Sequence, residues 1–540
     1  MTSAPTENPS ALAPLRDAVF RMLWLAWLTA NVTMWMNEVA SAWLMTSLTD
    51  SAFMVAMVQA ASTLPVFVLG LPSGALADIV DRRRYFAVTQ VWVGVIAIIL
   101  ATLSFAGQLS APLLLMLTFA NGIGMAMRWP VFAAIVPDVV PRHDLPAALA
   151  LNGIAMNMSR VIGPVIAGAL LASVGSAYVY LLNAVLAVIA FTLILRWRSE
   201  PVVSALPGER FFAAMRVGLQ HVTQSPRMRV VLMRIFLFFL QSVSLTALLP
   251  LIARRLGDGG PGAFTTLLVA MGGGAVAMAL NLTRLRQRIR RDAMVYWGVC
   301  VHALAAVAVV LSPTLWLAVP AMAIAGMAWI ATANSLTVAA QLALPNWVRA
   351  RGMSIYQMAL MGGSAAGAAL WGYVASVTTV QTSIIAAAVI GPLVLLLTRH
   401  HGAGGVTDED LTPTPVTATA PPPVIDIAPN EGPVMVTIEY LIDPAQAQAF
   451  TAVMQQTRLA RLRQGALSWG LFRDTSLAGR YIEYFLDENW IEHQRRLARF
   501  TAADIGLRNR RMAFHIGTEP PRTQRYIGEP IRGFGTPDES

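Results

Sequence analysis

The feature that most constrains this chain is a succession of long apolar segments, each near twenty residues, across its first 400 positions. About 20 apolar residues in a helix span the roughly 30 Å hydrocarbon core of a bilayer. Only 13% of the residues are charged, against about 25% in soluble domains. We therefore expect an all-α polytopic membrane protein. The twelve predicted transmembrane helices are 21–48, 52–77, 85–106, 111–136, 147–173, 177–196, 229–253, 263–283, 293–311, 315–342, 350–376 and 379–398.

The 39 basic residues are all arginines, and in this region they gather between the apolar segments. Gaps after even-numbered spans carry them, whereas gaps after odd-numbered spans are nearly uncharged, apart from Arg254 and Arg255. The positive-inside bias predicts a multi-pass protein of the bacterial inner membrane with both termini in the cytoplasm. This distribution of the net charge of +10 argues against nucleic-acid binding. The single cysteine, Cys300, excludes a disulfide framework, and we expect no metal and no cofactor.

The first 400 residues read as two copies of one unit. Proline, glycine and arginine positions recur at a fixed offset of 204 residues, which shared apolar composition does not explain. The pairs are Pro141 with Pro345, Gly163 with Gly367, Gly168 with Gly372, Arg82 with Arg286 and Arg84 with Arg288. A six-plus-six repeat with a long central connection is typical of one large class of secondary transporters.

The domain boundaries follow from the spans and from a change of composition after His401. Residues 402–431 are rich in Pro, Thr and Ala and indicate an extended linker. The central connection contains an amphipathic stretch, 210–222, which we expect to lie at the membrane surface. The predicted organisation is a cytoplasmic N-terminus (1–20), a first bundle (21–196), a central cytoplasmic connection (197–228), a second bundle (229–400), a linker (401–432), a soluble domain (433–517) and a tail (518–540).

The gap between the second and third spans reads Gly-Ala-Leu-Ala-Asp-Ile-Val-Asp-Arg-Arg-Arg from Gly74. It resembles the signature loop of the major facilitator superfamily. The glycine allows close helix approach, and Asp78 can accept charge-assisted bonds from arginine at the start of span eleven. Such contacts would form a cytoplasmic gate; alternatively, the arginines only set topology. The predicted gate comprises Gly74, Asp78, Asp81, Arg82, Arg83, Arg84, Arg349 and Arg351.

Span five contains Ser-Arg-Val-Ile-Gly-Pro-Val-Ile-Ala-Gly, ending at Gly168. It partly resembles the glycine-proline motif of exporting members of the superfamily. Proline bends a helix and flanking glycines permit tight packing, so a plain packing kink is the alternative. The predicted helix-packing residues are Gly163, Pro164, Gly168, Gly367 and Gly372.

Three ionisable residues, Glu38, Arg128 and Arg160, lie within predicted spans. Charges there cost several kcal/mol, so they normally face a cavity or each other. Glu38 is the candidate proton carrier, since a carboxyl in an apolar setting can exchange a proton at physiological pH. Arg160 is a candidate to hold an anionic group or to pair with Glu38, and Arg128 lies nearer the cytoplasmic side. A static buried ion pair is the alternative.

As a set, these segments resemble the enterobactin-exporter-like branch of the superfamily, the transmembrane secretion effectors. The resemblance extends to Asn-Val-Thr-Met-Trp-Met-Asn-Glu in span one and Val-Arg-Ala-Arg-Gly-Met at the start of span eleven. It implies a proton antiporter that performs efflux of small molecules, including siderophores and drugs. Protons are then the expected coupling ion. Import and a non-transporting sensor are the alternatives.

The segment 433–517 alternates strand and helix patterns in the order βαββα. It resembles the ferredoxin-like domain of antibiotic-biosynthesis monooxygenases, which implies an α+β fold and pairing as dimers. Trp490 and His493 lie three apart on one helix beside Asn489, which admits a haem or quinone site. The same pattern also serves packing, so we favour binding, sensing or dimerisation over catalysis, with a membrane-tethered enzyme that modifies the cargo as the alternative.

Overall fold

A computed structural model describes residues 12–141, 143–197, 211–256, 259–397, 410–414 and 423–529. The described residues fall into two compact units. The membrane unit is drawn from Met1–Glu209, Val230–Ala340 and Met353–Ala403, and the C-terminal unit from Arg210–Arg229, Gln341–Gly352 and Gly404–Ser540.

Helices account for nearly all of the membrane unit. Ser51 and Asp81 cap the helices that follow them, because each side chain accepts a hydrogen bond from a backbone N–H of the first turn. The helices are α1 (Ala18–Leu48), α2 (Ala52–Ile79), α3 (Arg82–Phe105), α4 (Ala111–Val139), α5 (Leu145–Ser173), α6 (Ser176–Arg196), α8 (Pro226–Ala247), α9 (Leu249–Arg255), α10 (Pro261–Arg288), α11 (Arg291–Leu311), α12 (Leu315–Leu342), α13 (Arg349–Val377) and α14 (Val380–Leu397), with α7 (Phe211–Gln224) in the C-terminal unit.

Among the described residues, eleven helical segments are long and apolar enough to cross a membrane, with α8 and α9 counted as one. The helix α1 occupies the first predicted span and has 31 residues, but it is less apolar because it carries Asn31, Asn37 and Glu38. Its polar side chains are enclosed by protein, since α1 packs against α2, α4, α5 and α6. The polytopic helical architecture expected from the apolar segments is confirmed.

The two copies of the repeat differ in length at one place. The helices α5 and α13 begin 204 residues apart, which matches the glycine pairs. However, α3 begins at Arg82 and its counterpart α11 begins at Arg291, which is 209 residues later. The pairing of Arg82 and Arg84 with Arg286 and Arg288 was therefore wrong, because α10 continues through both of the latter residues.

The C-terminal unit contains an antiparallel sheet of four strands in the order β2-β3-β1-β4. The central strands β1 and β3 pair from Val434 opposite Asp487 to Leu441 opposite Arg480. The last strand, β4, lies in the segment expected to be a tail, and the ladder against β1 places it in the sheet. The elements are β1 (Val434–Leu441), α15 (Ala447–Arg463), β2 (Ser468–Arg473), β3 (Arg480–Asp487), α16 (Trp490–Ala498), α17 (Ala502–Met512) and β4 (Thr523–Ile527).

The central connection supplies one helix of this unit. The predicted amphipathic stretch forms α7, which packs against α15. Arg216 forms an ion pair with Glu488 at 2.6 Å, and the Gln220 side chain donates to the Ala466 carbonyl at 2.5 Å. Val217 and Val222 are buried whereas Leu219 is exposed, so protein covers part of the apolar surface of α7.

Candidate functional site

Arg160, on α5, lies between two tryptophan rings that come from different halves of the membrane unit. Its guanidinium carbon is 5.3 Å from the centroid of Trp35 on α1 and 4.6 Å from that of Trp329 on α12. Both distances are within the range of cation–π attraction. One cationic group therefore joins the first six-helix bundle to the second.

Glu38 faces the same region from α1, one turn after Trp35. Its half-buried carboxyl lies within electrostatic reach of Arg160 and beside the side-chain amide of Gln59 on α2. Buried charges in a low-dielectric interior interact strongly, so the charge on Glu38 affects Arg160 directly. The Arg160 Nε has no hydrogen-bond partner among the described residues. The guanidinium thus keeps a donor for a further acceptor.

Arg128, on α4, belongs to a separate place in the first bundle. Its Nη1 donates to the Ala30 carbonyl at 2.8 Å, eight residues before Glu38 and therefore about 12 Å away along α1. Arg128 is 2% exposed, and its Nε and Nη2 have no hydrogen-bond partner among the described residues. A small cavity of about 10 Å³ beside it is also lined by Asn37 and Asn183.

The second bundle has a polar region that the sequence reasoning missed. His302 on α11 and Arg234 on α8 are both buried and line a cavity of about 40 Å³ together with Gln241 and Ser242. His302 Nδ1 is 3.2 Å from the Ala325 carbonyl oxygen, whereas His302 Nε2 is without a hydrogen-bond partner in the described part of the chain.

The signal for this region was present in the sequence. Both residues fall inside predicted spans, where an ionisable side chain indicates a functional position. Arg234 forms an ion pair at 3.2 Å with Asp292, at the start of α11. The charge of Arg234 is thereby balanced inside the bundle.

The predicted gate residues are divided among several contacts. A Cβ atom on Gly74 would meet Ser354 Oγ of α13 at 3.8 Å, so α2 and α13 are neighbours there. Asp81 caps α3 by accepting from the Arg84 N–H at 2.8 Å, and Arg83 donates to the Leu195 carbonyl.

Of the remaining gate residues, Arg82 begins α3, whereas Asp78, Arg349 and Arg351 lie at the ends of α2 and α13. The Asp78 side chain lies outside the described residues, so its predicted bonds to Arg349 and Arg351 stay predictions. Arg349 donates to the Leu344 carbonyl at 3.4 Å. The side chain of Arg351 packs against Gly218 of α7, within the C-terminal unit.

The predicted packing glycines all lie where two helices nearly touch. A Cβ atom on Gly163 would be 2.5 Å from the Trp35 Cβ, so this glycine allows the ring that stacks on Arg160 to approach α5. Gly367 faces the Leu240 carbonyl of α8 in the same way. Pro164 is buried inside α5.

In the C-terminal unit, the residues considered for a haem or quinone site make contacts that stabilise the fold. Asn489 caps α16 by accepting from the Glu492 N–H at 3.0 Å. His493 Nδ1 lies 2.8 Å from Asp487 Oδ2, and the His493 ring stacks on Trp490 at 5.3 Å. These contacts fit the packing interpretation of the pattern.

Two six-helix halves joined through a buried guanidinium define a polytopic membrane protein with the fold of secondary transporters. The chain belongs to the transmembrane secretion effector family, whose profile matches residues 9–532. The resemblance noted in the sequence is thereby confirmed for the membrane unit, whereas the monooxygenase-like character of the C-terminal unit remains a prediction.

Two curated relatives are similar to part of the chain. The staphyloferrin A transporter of Staphylococcus aureus is 23% identical over 265 residues, which are 48% of this chain and 66% of the relative. Macrolide efflux protein A of Streptococcus pyogenes is 24% identical over 251 residues, or 45% and 60%. The chain thus covers less than two thirds of either relative.

Solved structures resemble the fold of this chain. The nucleoside transporter NupG aligns with a TM-score of 0.58 at 14% identity, over 71% of this chain and 99% of NupG. A POT family transporter in complex with a thioalcohol-conjugated peptide aligns with a TM-score of 0.59 at 11% identity, over 72% and 96%. At these identities the likeness concerns the fold alone.

Proposed function

We propose that the chain is a transporter, not an enzyme, and that it exports small organic molecules by exchange for protons. The observation that supports this most directly is Arg160 between Trp35 and Trp329, with Glu38 within electrostatic reach. Arg160 contacts both halves, so a change in how far its charge is neutralised alters its interaction with both. Such a change can favour one arrangement of the halves over another. The names of the two relatives, a siderophore transporter and a macrolide efflux protein, support siderophore-like or drug-like cargo.

In this proposal Glu38 carries the proton and Arg160 responds to it. With Glu38 ionised, the two charges neutralise each other. Exchange requires that the proton and the cargo bind in alternation, so the cargo binds at the available Nε donor of Arg160 while Glu38 is ionised. Protonation of Glu38 on the far side then removes the partner of Arg160 and favours release of the cargo. Arg128 offers two further donors on the first bundle.

The gate is proposed to act at the ends of α2 and α13. Gly74 lets these helices approach, and Asp78 would accept bonds from the arginines at the start of α13 in one state only. Breaking a few charge-assisted bonds in the other state supplies the difference in free energy that alternating access needs.

The test is transport into inverted membrane vesicles with an imposed proton gradient, acid inside, across a panel of siderophores, dyes and antibiotics. We expect gradient-dependent accumulation that Glu38→Gln abolishes. Asp50→Asn is the matched control, since Asp50 is exposed in the turn between α1 and α2. Undiminished gradient-driven accumulation in Glu38→Gln would show that Glu38 does not carry the proton. Uptake only by right-side-out vesicles would show that the protein imports its cargo.

Two further parts of the proposal concern topology and assembly. Both termini are proposed to be cytoplasmic in the inner membrane, which cysteine labelling from each side of the membrane tests. Dimerisation through the C-terminal unit is proposed at the edge strand β2, where Phe472 is 60% exposed. A monomeric mass in detergent at all concentrations would contradict that part.

A further inference from the structure

The C-terminal unit contains a cavity of about 120 Å³. Residues from β1, β3 and β4 and from the helices α15, α16 and α17 line it. Part of the wall is apolar, with Val436 and Phe485 buried on the sheet and Phe500 buried after α16. An apolar wall of this kind favours an organic ligand over a fully hydrated ion.

The remainder of the wall is cationic. Five arginines line the cavity, and no residue with a carboxylate is among the described residues that line it. Behind the wall, the carboxylates of Glu483 and Asp487 bond to lining residues. The five are Arg461, Arg496, Arg508, Arg511 and Arg525.

Both carboxylates are already engaged. Glu483 Oε1 accepts from Arg461 Nε at 3.0 Å and from the Trp469 indole at 3.1 Å, and Glu483 Oε2 accepts from the Tyr440 hydroxyl at 2.9 Å. Asp487 accepts from Arg496 Nε at 2.9 and 3.0 Å. Even with Arg525 left out of the count, these two carboxylates face four arginines of the described lining, so the surplus is cationic.

Arg511 shows this surplus most clearly. It is 6% exposed on α17, and its Nε has no hydrogen-bond partner among the described residues. A buried donor left without an acceptor destabilises the protein, and an anionic ligand in the cavity would supply the missing acceptor. Arg508 and Arg525 are half-buried and lie where a ligand could reach them from solvent. Burial lowers the pKa of Arg525.

We propose that this cavity binds a small organic carboxylate with an apolar body the size of a single ring. Its volume is close to the roughly 150 Å³ of an apolar cavity that accepts benzene. Guanidinium groups hold carboxylates through paired hydrogen bonds, and the apolar wall packs against the ring. The site is distinct from the charged residues of the membrane unit and does not rest on the proposed export.

The test is calorimetric titration of the full-length protein in detergent with benzoate and salicylate. We expect saturable binding, with affinity lowered about tenfold or more in Arg511→Gln and partly retained in Arg511→Lys. Arg510→Gln is the matched control on the same helix, because Arg510 is exposed and outside the lining. Arg508→Gln, at a half-buried position, is the second variant if Arg511→Gln does not fold.

Three results would overturn the proposal. One is no saturable binding of either carboxylate up to about 10 mM. Another is equal affinity of the wild type and of both Arg511→Gln and Arg508→Gln. The third comes from probes that separate charge from shape. If benzyl alcohol bound as tightly as benzoate, the carboxylate would not be required for binding. If inorganic phosphate bound as tightly as benzoate, the ring would not be required.

Discussion

Gly168 on α5 and Thr265 on α10 lie so close that a Cβ atom on the glycine would overlap the Thr265 hydroxyl. The equivalent position in the second copy, Gly372 on α13, would place its Cβ 2.6 Å from that of Ala56 on α2. The fifth helix of each half thus packs against the second helix of the other. These two contacts join the halves in a pseudo-symmetric pair.

Enlarging Gly168 should therefore affect transport and stability together. We expect Gly168→Val to force α5 from α10, to destabilise the protein by about 1–3 kcal/mol and to abolish efflux. Gly153→Val on the same helix is the control, because nothing lies within 4 Å of its Cβ position. Thermal unfolding in detergent and vesicle transport measure the two effects, and equal behaviour of both variants would contradict a close α5–α10 contact.

Replacing Arg160 by lysine keeps the charge but loses the planar group between the two rings. Cation–π attraction contributes about 0.5–2 kcal/mol, so Arg160→Lys should lower the transport rate about tenfold at limiting substrate. Trp329→Phe should cause a smaller loss, and the double variant should lose less than the two separate losses combined. Trp316→Phe, at an 81% exposed position, is the control. Additive losses would mean that Arg160 and Trp329 do not act together.

The helices of the membrane unit were predictable because apolar length is a local property of the sequence. The contacts between these helices were predictable only where a glycine indicates a close approach, as at Gly163. The aromatic partners of Arg160 were not predictable, since Trp329 is far away in the chain and nothing in its sequence neighbourhood indicates a charged neighbour. The arginine offset failed for a different reason: α3 has 24 residues whereas its counterpart α11 has 21, and such a local difference in length does not show in the composition.

In the C-terminal unit, too, the sequence does not predict contacts between segments that are far apart in the chain. The strand β4 is short and half-exposed, so its sequence shows little alternation of apolar and polar residues. Its pairing with β1 is what identifies it as a strand. The membership of α7 and of residues 341–352 in this unit depends on tertiary contacts such as that of His221 with Trp347. Amphipathicity predicts that α7 has a buried side and leaves open what covers it.

Acidification should weaken the attachment of α7. Burial lowers the pKa of His221 to about 4, despite the contact of its Nδ1 with the Arg463 carbonyl. A pKa below the unfolded value of about 6.5 means that this contribution to stability is complete above pH 6.5 and is lost as the pH falls towards 4. Between pH 7 and pH 5 the loss is about 2 kcal/mol.

Hydrogen exchange of α7 in the full-length protein, corrected for intrinsic rates, measures this loss. We expect faster exchange at pH 5 than at pH 7 and a much smaller pH effect in His221→Gln. His143→Gln is the control, because His143 is exposed. A pH effect that persists unchanged in His221→Gln would assign it to another group.

Two glutamates in the central strands of the same sheet, each paired with an arginine, should differ widely in their contribution to stability. Glu483 is fully buried. Burial alone would raise its pKa, but the charges of Arg461 and Arg511 and the bonds from Arg461 and Trp469 lower it to about 2. This contribution to stability is therefore present above about pH 4.5 and is lost as the pH falls towards 2.

We expect Glu483→Gln to destabilise the C-terminal unit by about 3–5 kcal/mol at pH 7, because Arg461 would remain buried without its counter-charge. Glu439→Gln should cost no more than about 1 kcal/mol, since Glu439 and its partner Arg480 are each 36% exposed and water screens the pair. Hydrogen exchange of β1 and β3 in increasing denaturant measures both values. Losses of equal size would mean that burial does not govern the strength of these pairs, whereas a large loss confined to Glu483→Gln would assign the stability of the sheet to its buried carboxylate.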